Sequence, residues 1–489
     1  MSNKLDNYIK YRNKFYNKIQ NSLKKGRYED TFTLISSCSR MMYEWNQEYT
    51  SDLLEKAIES SSHLICNWEQ EKFKEDVIVV YDAFGLDNRG LMQIYLNALC
   101  KIKRTVYITY SENENRIPKI KEILKKYNAE IEYINSNFNY TKQIQQFWKI
   151  LNTYKAKAAF LYTTPWDVVG ISVFDHLENL CDRYQINLTD HAFWLGVNAF
   201  DKCIEFRDYG AYISNSFRKI PKEKIVKIPF YPQINEEIEF EGYPFKDESK
   251  KVMFSGGSIY KTVGDNGKFY SMVRNILKQN DNVVFWYASN DTVDELDNLL
   301  KDFPHRVYHT KERKDLYQIY QHCDIFLNTY PITGGLMLQY SAITGVVPFT
   351  LKYDDEATGL ISNEVEKFFL YDTEQELCAA VRKALTDEDF YGQMKQKLRN
   401  AVISPDEFEN RLKQLVNNNL LGNEIDYKCV DVEQYRLNYL KRNSYWTYVL
   451  GFISKKDIRN IRYFPIEIVN GLVYKIIKKL QKRRKNAGN

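Results

Sequence analysis

The stretch DVIVVYDAFG, residues 76–85, decides the fold: a short apolar run of strand type that ends in a turn at Gly85. A helix-like segment follows at 91–100, and a second apolar run, TVYIT, occupies 105–109. The alternation continues with a helix near 116–127, a strand at 130–134, a helix at 140–153 and a strand at 158–162. A helix at 173–184 and strands at 186–189 and 211–214 complete the set. Short buried strands alternating with amphipathic helices predict a parallel α/β sheet, and residues 73–230 read as one Rossmann-like domain. Residues 1–72, broken near Gly26 and Ser51, read as a helical extension; a single helical hairpin is not a repeat array. Residues 231–250, with Pro232, Gly242 and Pro244, read as a linker. The alternation restarts at KVMFS, residues 251–255, and a second α/β domain runs over 251–425, closed by helices near 374–385, 387–399 and 406–418. Residues 426–489 form a C-terminal segment. Two such domains predict a ligand cleft between the carboxyl ends of the two sheets.

The 489 residues carry a formal charge of +5, but it is unevenly placed. From Lys455 to Asn489 there are eleven Lys/Arg against two acids, which gives this tail +9 and leaves −4 on the rest. A nucleic-acid-binding body is excluded on that distribution. With 44% hydrophobic and 15% aromatic residues the chain is no disordered polymer. It has no apolar run of membrane-spanning length and no signal-peptide core at its start. Eight cysteines stand far apart without a CxxC pair, which reads as reduced core thiols in a cytosolic protein rather than a zinc site.

Two loops have the character of phosphate cradles. FSGGSIYK, residues 254–261, follows the first strand of the second domain; Gly256 and Gly257 would let backbone N–H groups approach an anion beside Ser258, and Lys261 would add a positive charge. An ordinary strand-to-helix turn is the other reading. NTYPITGGLMLQY, residues 328–340, follows a later strand, and Thr333, Gly334 and Gly335 open a helix whose dipole and unpaired N–H groups point the same way. Beyond the GVVP strand at 345–348, Asp354, Asp355 and Glu356 would bind sugar hydroxyls or form a solvated turn.

Residues 76–418 resemble the GT-B-fold glycosyltransferases, nucleotide-sugar-dependent enzymes with two facing Rossmann-like domains. TYPITGG at 329–335, a helix, and GVVP at 345–348 are similar to their donor-diphosphate segment. The likeness is to the inverting branch that contains the peptide GlcNAc-type transferases. Residues 328–340 and DHAFWLG, 190–196, also look like transferases of capsule and exopolysaccharide clusters. Retaining members carry two glutamates seven residues apart across this loop and helix; the matching places here are Ile332 and Tyr340, while Glu356 and Glu364 lie out of register. The resemblance therefore implies inversion.

An inverting reaction needs a base for the acceptor proton, and His191, with Asp190 to orient it, has the right chemistry after a first-domain strand. A core or capping histidine is the other reading. The resemblance places Lys311, Arg313 and Gln339 with the donor nucleotide, while a plain charged helix start is the other reading of Lys311 and Arg313. It places Gly85, Asp87, Arg89, Trp166 and Trp194 on the acceptor side, although Asp87 also suits a helix cap. His63, His176, His305 and His322 lack such a context.

In the tail, Ile466, Val469, Leu472, Val473, Ile476, Ile477 and Leu480 share one helical face, flanked by Lys475, Lys478, Lys479, Lys482 and Arg483. Residues 465–485 thus predict a cationic amphipathic helix that lies on an anionic membrane surface, unless it packs on the protein body. The expectation is a cytoplasmic glycosyltransferase held at the inner face of the cell membrane. It would move a sugar from a nucleotide sugar to a lipid-linked glycan, with no metal or cofactor. A protein acceptor, a catalytically silent partner of another transferase and a sugar-nucleotide epimerase are the alternatives.

Overall fold

The computed structural model describes residues 2–68, 71–87, 90–234, 236–353, 360–417, 425–427, 429–450 and 457–487. The chain divides into two compact units, Met1–Ile228 with Glu409–Asn489, and Pro229–Phe408.

The first unit opens with three helices, α1 (Ser2–Lys24), α2 (Tyr28–Trp45) and α3 (Asp52–Ser62). Alternation then begins with β1 (Glu75–Asp82), α4 (Leu91–Ile102), β2 (Arg104–Tyr110), α5 (Pro118–Lys126) and β3 (Glu130–Ile134). It continues with α6 (Tyr140–Tyr154), β4 (Ala156–Tyr162), α7 (Val168–Asp175), β5 (Asp182–Ile186), β6 (Lys202–Glu205), α8 (Asp208–Ser216) and β7 (Ile225–Lys227). All seven strands are parallel, in the order β3-β2-β1-β4-β5-β6-β7. The middle of β1 is apolar because both faces of a parallel sheet are covered: Val77 to Tyr81 are all buried.

Two sequence expectations fail here. Residues 211–214 are not a strand but the middle of α8, since four apolar-leaning residues fit either period. The helix expected to 184 stops at Asp175, and residues 182–186 and 202–205 are the strands. Both strands carry a buried charged side chain that finds its partner in a neighbouring segment. Arg183 donates to Asp201 (Nη2 to Oδ1, 2.9 Å), and Glu205 accepts from Asn187 Nδ2 at 2.8 Å.

The second unit repeats the plan with β8 (Lys251–Gly256), α9 (Lys268–Gln279), β9 (Val283–Ala288), α10 (Asp294–Asp302), β10 (Val307–Thr310) and α11 (Leu316–Gln321). Then come β11 (Ile325–Leu327), α12 (Gly335–Thr344), β12 (Val347–Leu351), α13 (Asn363–Glu366) and β13 (Leu370–Tyr371). Its six parallel strands run β10-β9-β8-β11-β12-β13. Helices α14 (Glu374–Thr386) and α15 (Glu388–Lys397) follow, and α16 (Pro405–Val416) begins in this unit and belongs to the first from Glu409 onward. A capping box between Thr373 and Glu376 starts α14. In each unit the first strand (β1 or β8) lies beside the fourth, and the connections leave that pair in opposite directions. This is the topological switch point at which doubly wound sheets hold ligands.

The chain ends in α17 (Val432–Arg442), α18 (Tyr445–Leu450) and α19 (Pro465–Ala487). These belong to the first unit and share its core with the N-terminal helices: Tyr448 stacks on Tyr11 at 3.9 Å, and Phe464 meets Phe15 at 4.7 Å. Beyond the buried Ile468, α19 turns an apolar face outward. Ile466, Val469, Leu472, Val473, Ile476, Ile477 and Leu480 are each 46–69% exposed. Among the described residues no helix is long and apolar enough to cross a membrane. All eight cysteines are free thiols, five of them buried.

Candidate functional site

In the second unit the carboxyl ends of β8 and β11 place the two glycine loops side by side. Gly257 has φ +108°, a conformation that favours glycine, and its N–H donates to Ala288 O at 2.9 Å. A Cβ at Gly256 would stand 3.1 Å from both Ala288 O and Met337 Cε, so the turn lies directly against the first turn of α12. The loop after β11 is folded by Asn328, whose buried Oδ1 accepts from the N–H groups of Thr329 (2.9 Å) and Gly334 (2.8 Å). Its Nδ2 donates to Thr350 Oγ1 at 3.2 Å.

The loops are tied together. Lys261 Nζ donates to Thr333 O at 3.2 Å, Ile332 N–H donates to Lys261 O at 3.2 Å, and Tyr330 OH donates to Asp265 Oδ2 at 2.7 Å. Gly256, Gly257, Lys261, Thr333, Gly334 and Gly335 therefore meet in one place. The first-turn N–H groups of α12 after Gly334 have no carbonyl of their own helix to donate to. Among the described residues the buried Ser255 hydroxyl, at the end of β8, has no hydrogen-bond partner. Backbone donors, a helix N-terminus and an ammonium group in one spot are groups of the kind that attract anions.

The other residues expected at the donor divide differently. Ser258 and Lys311 are exposed. Arg313 is not available to a nucleotide as expected: its Nε donates to Asp315 Oδ1 at 2.9 Å, its Nη1 to Gly242 O at 2.7 Å, and its plane lies 5.0 Å from the Trp286 ring. It fastens the 240–242 segment to the unit. Burial raises the Asp315 carboxyl, but Arg313 and the Glu241 N–H more than offset this and hold it below the usual range. Gln339 is likewise structural, a buried amide that donates to Phe230 O and Leu360 O, both at 2.9 Å. Tyr340 OH donates to Gln233 O at 2.6 Å, and Glu364 is 83% exposed and pairs with Lys367. Asp354, Asp355 and Glu356 lie outside the described residues.

In the first unit Asp190 and His191 sit in the loop after β5, on a buried polar network that sequence reading missed. Arg207 grips Asp190 with two hydrogen bonds, Nε to Oδ2 at 2.5 Å and Nη2 to Oδ1 at 3.0 Å. Arg218 Nη2 donates to the carbonyls of Thr189 (3.1 Å), Asp190 (3.0 Å) and Ala192 (2.6 Å), which pins the loop from below. Nearby, Glu205 accepts from Ser214 Oγ at 2.5 Å. Burial raises the Asp190 carboxyl, yet Arg207, with help from His191, overrides it and holds Asp190 far below the usual carboxylate range. Burial lowers Arg218 and raises Glu205, each against the partial attraction of the other. His191 is the member of this group that meets solvent, with its side chain 30% exposed and Nδ1 3.4 Å from Asp190 Oδ1. Asn46, which caps the C-terminus of α2, donates to its carbonyl at 2.9 Å. No motif marks Arg207 or Arg218; each stands as one arginine among ordinary neighbours.

The expected acceptor residues scatter. Gly85 has φ +54° and fits a turn in which Asp82 Oδ1 accepts from the N–H groups of Phe84 (2.8 Å) and Gly85 (3.0 Å). Asp87 caps α5 instead of facing a ligand, accepting from Lys119 N–H at 2.6 Å and Ile120 N–H at 3.2 Å. Arg89 lies outside the described residues. Trp194 cannot serve as a platform: it is 2% exposed, packed with Phe200, and Arg218 covers its ring at 4.8 Å. Trp166 alone lines an open space, a cavity of about 770 Å³ bounded by first-unit residues at the ends of β1, β2, β3 and β4.

No family model matches the sequence, and no curated protein matches it. Solved structures do. Anabaena HepE in complex with UDP-glucose is 12% identical with a TM-score of 0.51, covering 70% of this chain and 99% of that one. A mutant of the Thermobaculum terrenum O-GlcNAc transferase is 11% identical with a TM-score of 0.50, covering 87% and 84%. A glycosyltransferase from Rickettsia africae is 9% identical with a TM-score of 0.50, covering 72% and 100%. Such identities speak for architecture alone, and the chain has the GT-B fold, two Rossmann-like parallel α/β units.

Proposed function

We propose that the chain is a nucleotide-sugar-dependent glycosyltransferase that inverts the anomeric centre. The observation that supports this most is the meeting of the two glycine loops, Lys261 and the α12 N-terminus at the switch point of the second unit. These groups bind the donor diphosphate and take up the charge that develops as it leaves, so the reaction needs no metal. In the first unit, Asp190 accepts from His191 Nδ1–H, which leaves Nε2 as the basic nitrogen. The acceptor hydroxyl loses its proton to Nε2 and bonds to the anomeric carbon, while the bond from that carbon to the phosphate oxygen breaks and the nucleoside diphosphate departs.

The acceptor in this reading is a lipid-linked saccharide, and the product a surface polysaccharide. Support comes from α19, whose outward apolar side chains share a helix with the Lys475 and Lys479 cations, the pattern of a helix that lies in an anionic lipid surface. Removal of residues 465–489 should release the protein from anionic vesicles; retention would place it elsewhere. Calorimetric titration with a panel of nucleoside diphosphates, UDP included, tests the donor site. At least one should bind, and Lys261→Ala should weaken it by about tenfold. A folded protein that binds none would be a silent member of the fold.

A further inference from the structure

Positive charge gathers at the start of the chain as well as at its end. Residues 1–27 hold eight Lys/Arg against one acid, Asp6, which is +7. With the +9 of residues 455–489 this makes +16 and leaves −11 on residues 28–454. The two basic ends meet in the first unit: Lys14 of α1 pairs with Glu467 at the start of α19, and Lys4 Nζ donates to Lys441 O at 2.8 Å. Aromatic packing of Tyr11 on Tyr448 and Phe15 on Phe464 holds them together against the repulsion of like charges.

Part of this charge is committed inside the unit. Arg12 pairs with Glu48, Arg459 with Glu29 and Arg462 with Asp30. Lys10, Lys18, Lys24 and Lys25 form no ion pair among the described residues. Lys10 and Lys18 stand one turn to either side of Lys14, so they share the flank of α1 that Lys14 turns toward α19.

Helix α19 meets the body through Glu467, Ile468, Asn470 and Tyr474: Asn470 Nδ2 donates to Tyr445 OH at 2.8 Å, and Tyr474 stacks on Trp446 at 4.5 Å. The apolar side chains from Ile466 to Leu480 take the opposite side of the helix and are exposed. Tyr445 and Trp446, themselves partly exposed, stand at the edge of that face. A second copy seated on it would set +16 against +16, so the charge that surrounds the face opposes self-association and complements an anionic surface.

We propose that α1 and α19 form one two-part docking surface for an anionic lipid bilayer. Helix α19 inserts its apolar face with Tyr445 and Trp446 at headgroup depth, and α1 supplies lysines that meet the headgroup charge. The −11 on the remainder of the chain is repelled by the same lipid, which turns the basic surface toward it. Docking by α19 rests on the lipid-acceptor reading; the part played by α1 is additional to it.

Co-sedimentation of the full chain with phosphatidylcholine vesicles, with and without about one-third phosphatidylglycerol, tests the proposal. The anionic vesicles should bind at least about tenfold more tightly than the neutral ones. Lys10→Gln with Lys18→Gln should weaken that binding about tenfold, whereas Lys278→Gln with Lys301→Gln, the same loss of charge from exposed sites in the second unit, should change it less than about twofold. Leu472→Ser with Ile476→Ser, at exposed positions, should abolish binding to both compositions. Equal losses from the two lysine pairs, or none from either, would overturn the role of α1 and leave α19 standing if the serines still release the protein. Binding that survives the serines would instead remove α19 and with it the lipid reading. A dimer in sedimentation velocity that the serines dissociate would make a second copy the occupant and overturn the proposal.

Discussion

Asp190 and Arg207 allow the sharpest separation of support from chemistry. Their side chains are 1% and 7% exposed and share two hydrogen bonds, so each charge depends on the other for its solvation. Asp190→Ala leaves a buried guanidinium without its carboxylate, which costs about 3–5 kcal/mol. Arg207→Met leaves the carboxylate in the same low-dielectric site; burial then dominates, the group takes up a proton, and the cost is on the order of 2–4 kcal/mol. The double variant removes both charges, so it should lose at least about 2 kcal/mol less than the sum of the two singles. Hydrogen exchange across 182–216, read by mass spectrometry on the folded protein, reports this unit without the other. His191→Ala is the internal control, because its partly exposed ring should cost under about 1 kcal/mol. Single losses that simply add, or a His191→Ala loss as large as that of Asp190→Ala, would refute the reasoning. A carboxyl held below its unfolded value stabilises the fold above the ordinary carboxylate range, and that gain is lost progressively as pH falls from there through its depressed folded value.

Other consequences are as specific. His191→Ala should lower transfer about 10²–10⁴-fold in a turnover assay while nucleoside diphosphate affinity stays within about twofold. Gln339→Ala should cost the second unit on the order of 1–3 kcal/mol in urea unfolding, since the carbonyls of Phe230 and Leu360 lose their donor, with little change in nucleotide affinity. Burial pushes Glu55 up to about 7 against the N–H of Gly196, and mainly burial pushes Asp175 up to about 6. Both hold a proton in the folded state that the unfolded chain has lost, so stability should fall as pH rises from about 4 through 7. Glu55→Gln keeps an acceptor for Gly196 and should flatten the upper part of that decline in urea midpoints; an unchanged profile would clear Glu55 of it.

How much of this the sequence discloses depends on whether a residue's role is local. Runs such as residues 77–81 and 252–255 fill strands buried on both faces, which an apolar run of that length between turns announces. The glycine loops were equally legible, because a positive φ at Gly257 and a helix opening at Gly335 are properties of a few consecutive residues. Strand β6 was not: Lys202 and Glu205 look solvated until Asn187 and Ser214 arrive from other segments to meet Glu205. The same holds at the site. Arg313, Gln339 and Asp87 have the right chemistry for ligands, but their partners at Gly242, Leu360 and Lys119 are distant in sequence and claim them first. Arg207 and Arg218 were invisible for the converse reason, since what they do is set wholly by the loop above them.

The most direct measurement is incubation of the full chain with a set of nucleotide sugars and a membrane extract, followed by mass spectrometry. One donor should be consumed, its nucleoside diphosphate should accumulate, and a lipid-linked glycan should gain the mass of one sugar residue. Transfer to a protein would correct the acceptor. A folded chain that binds nucleoside diphosphate yet consumes no donor would contradict the account.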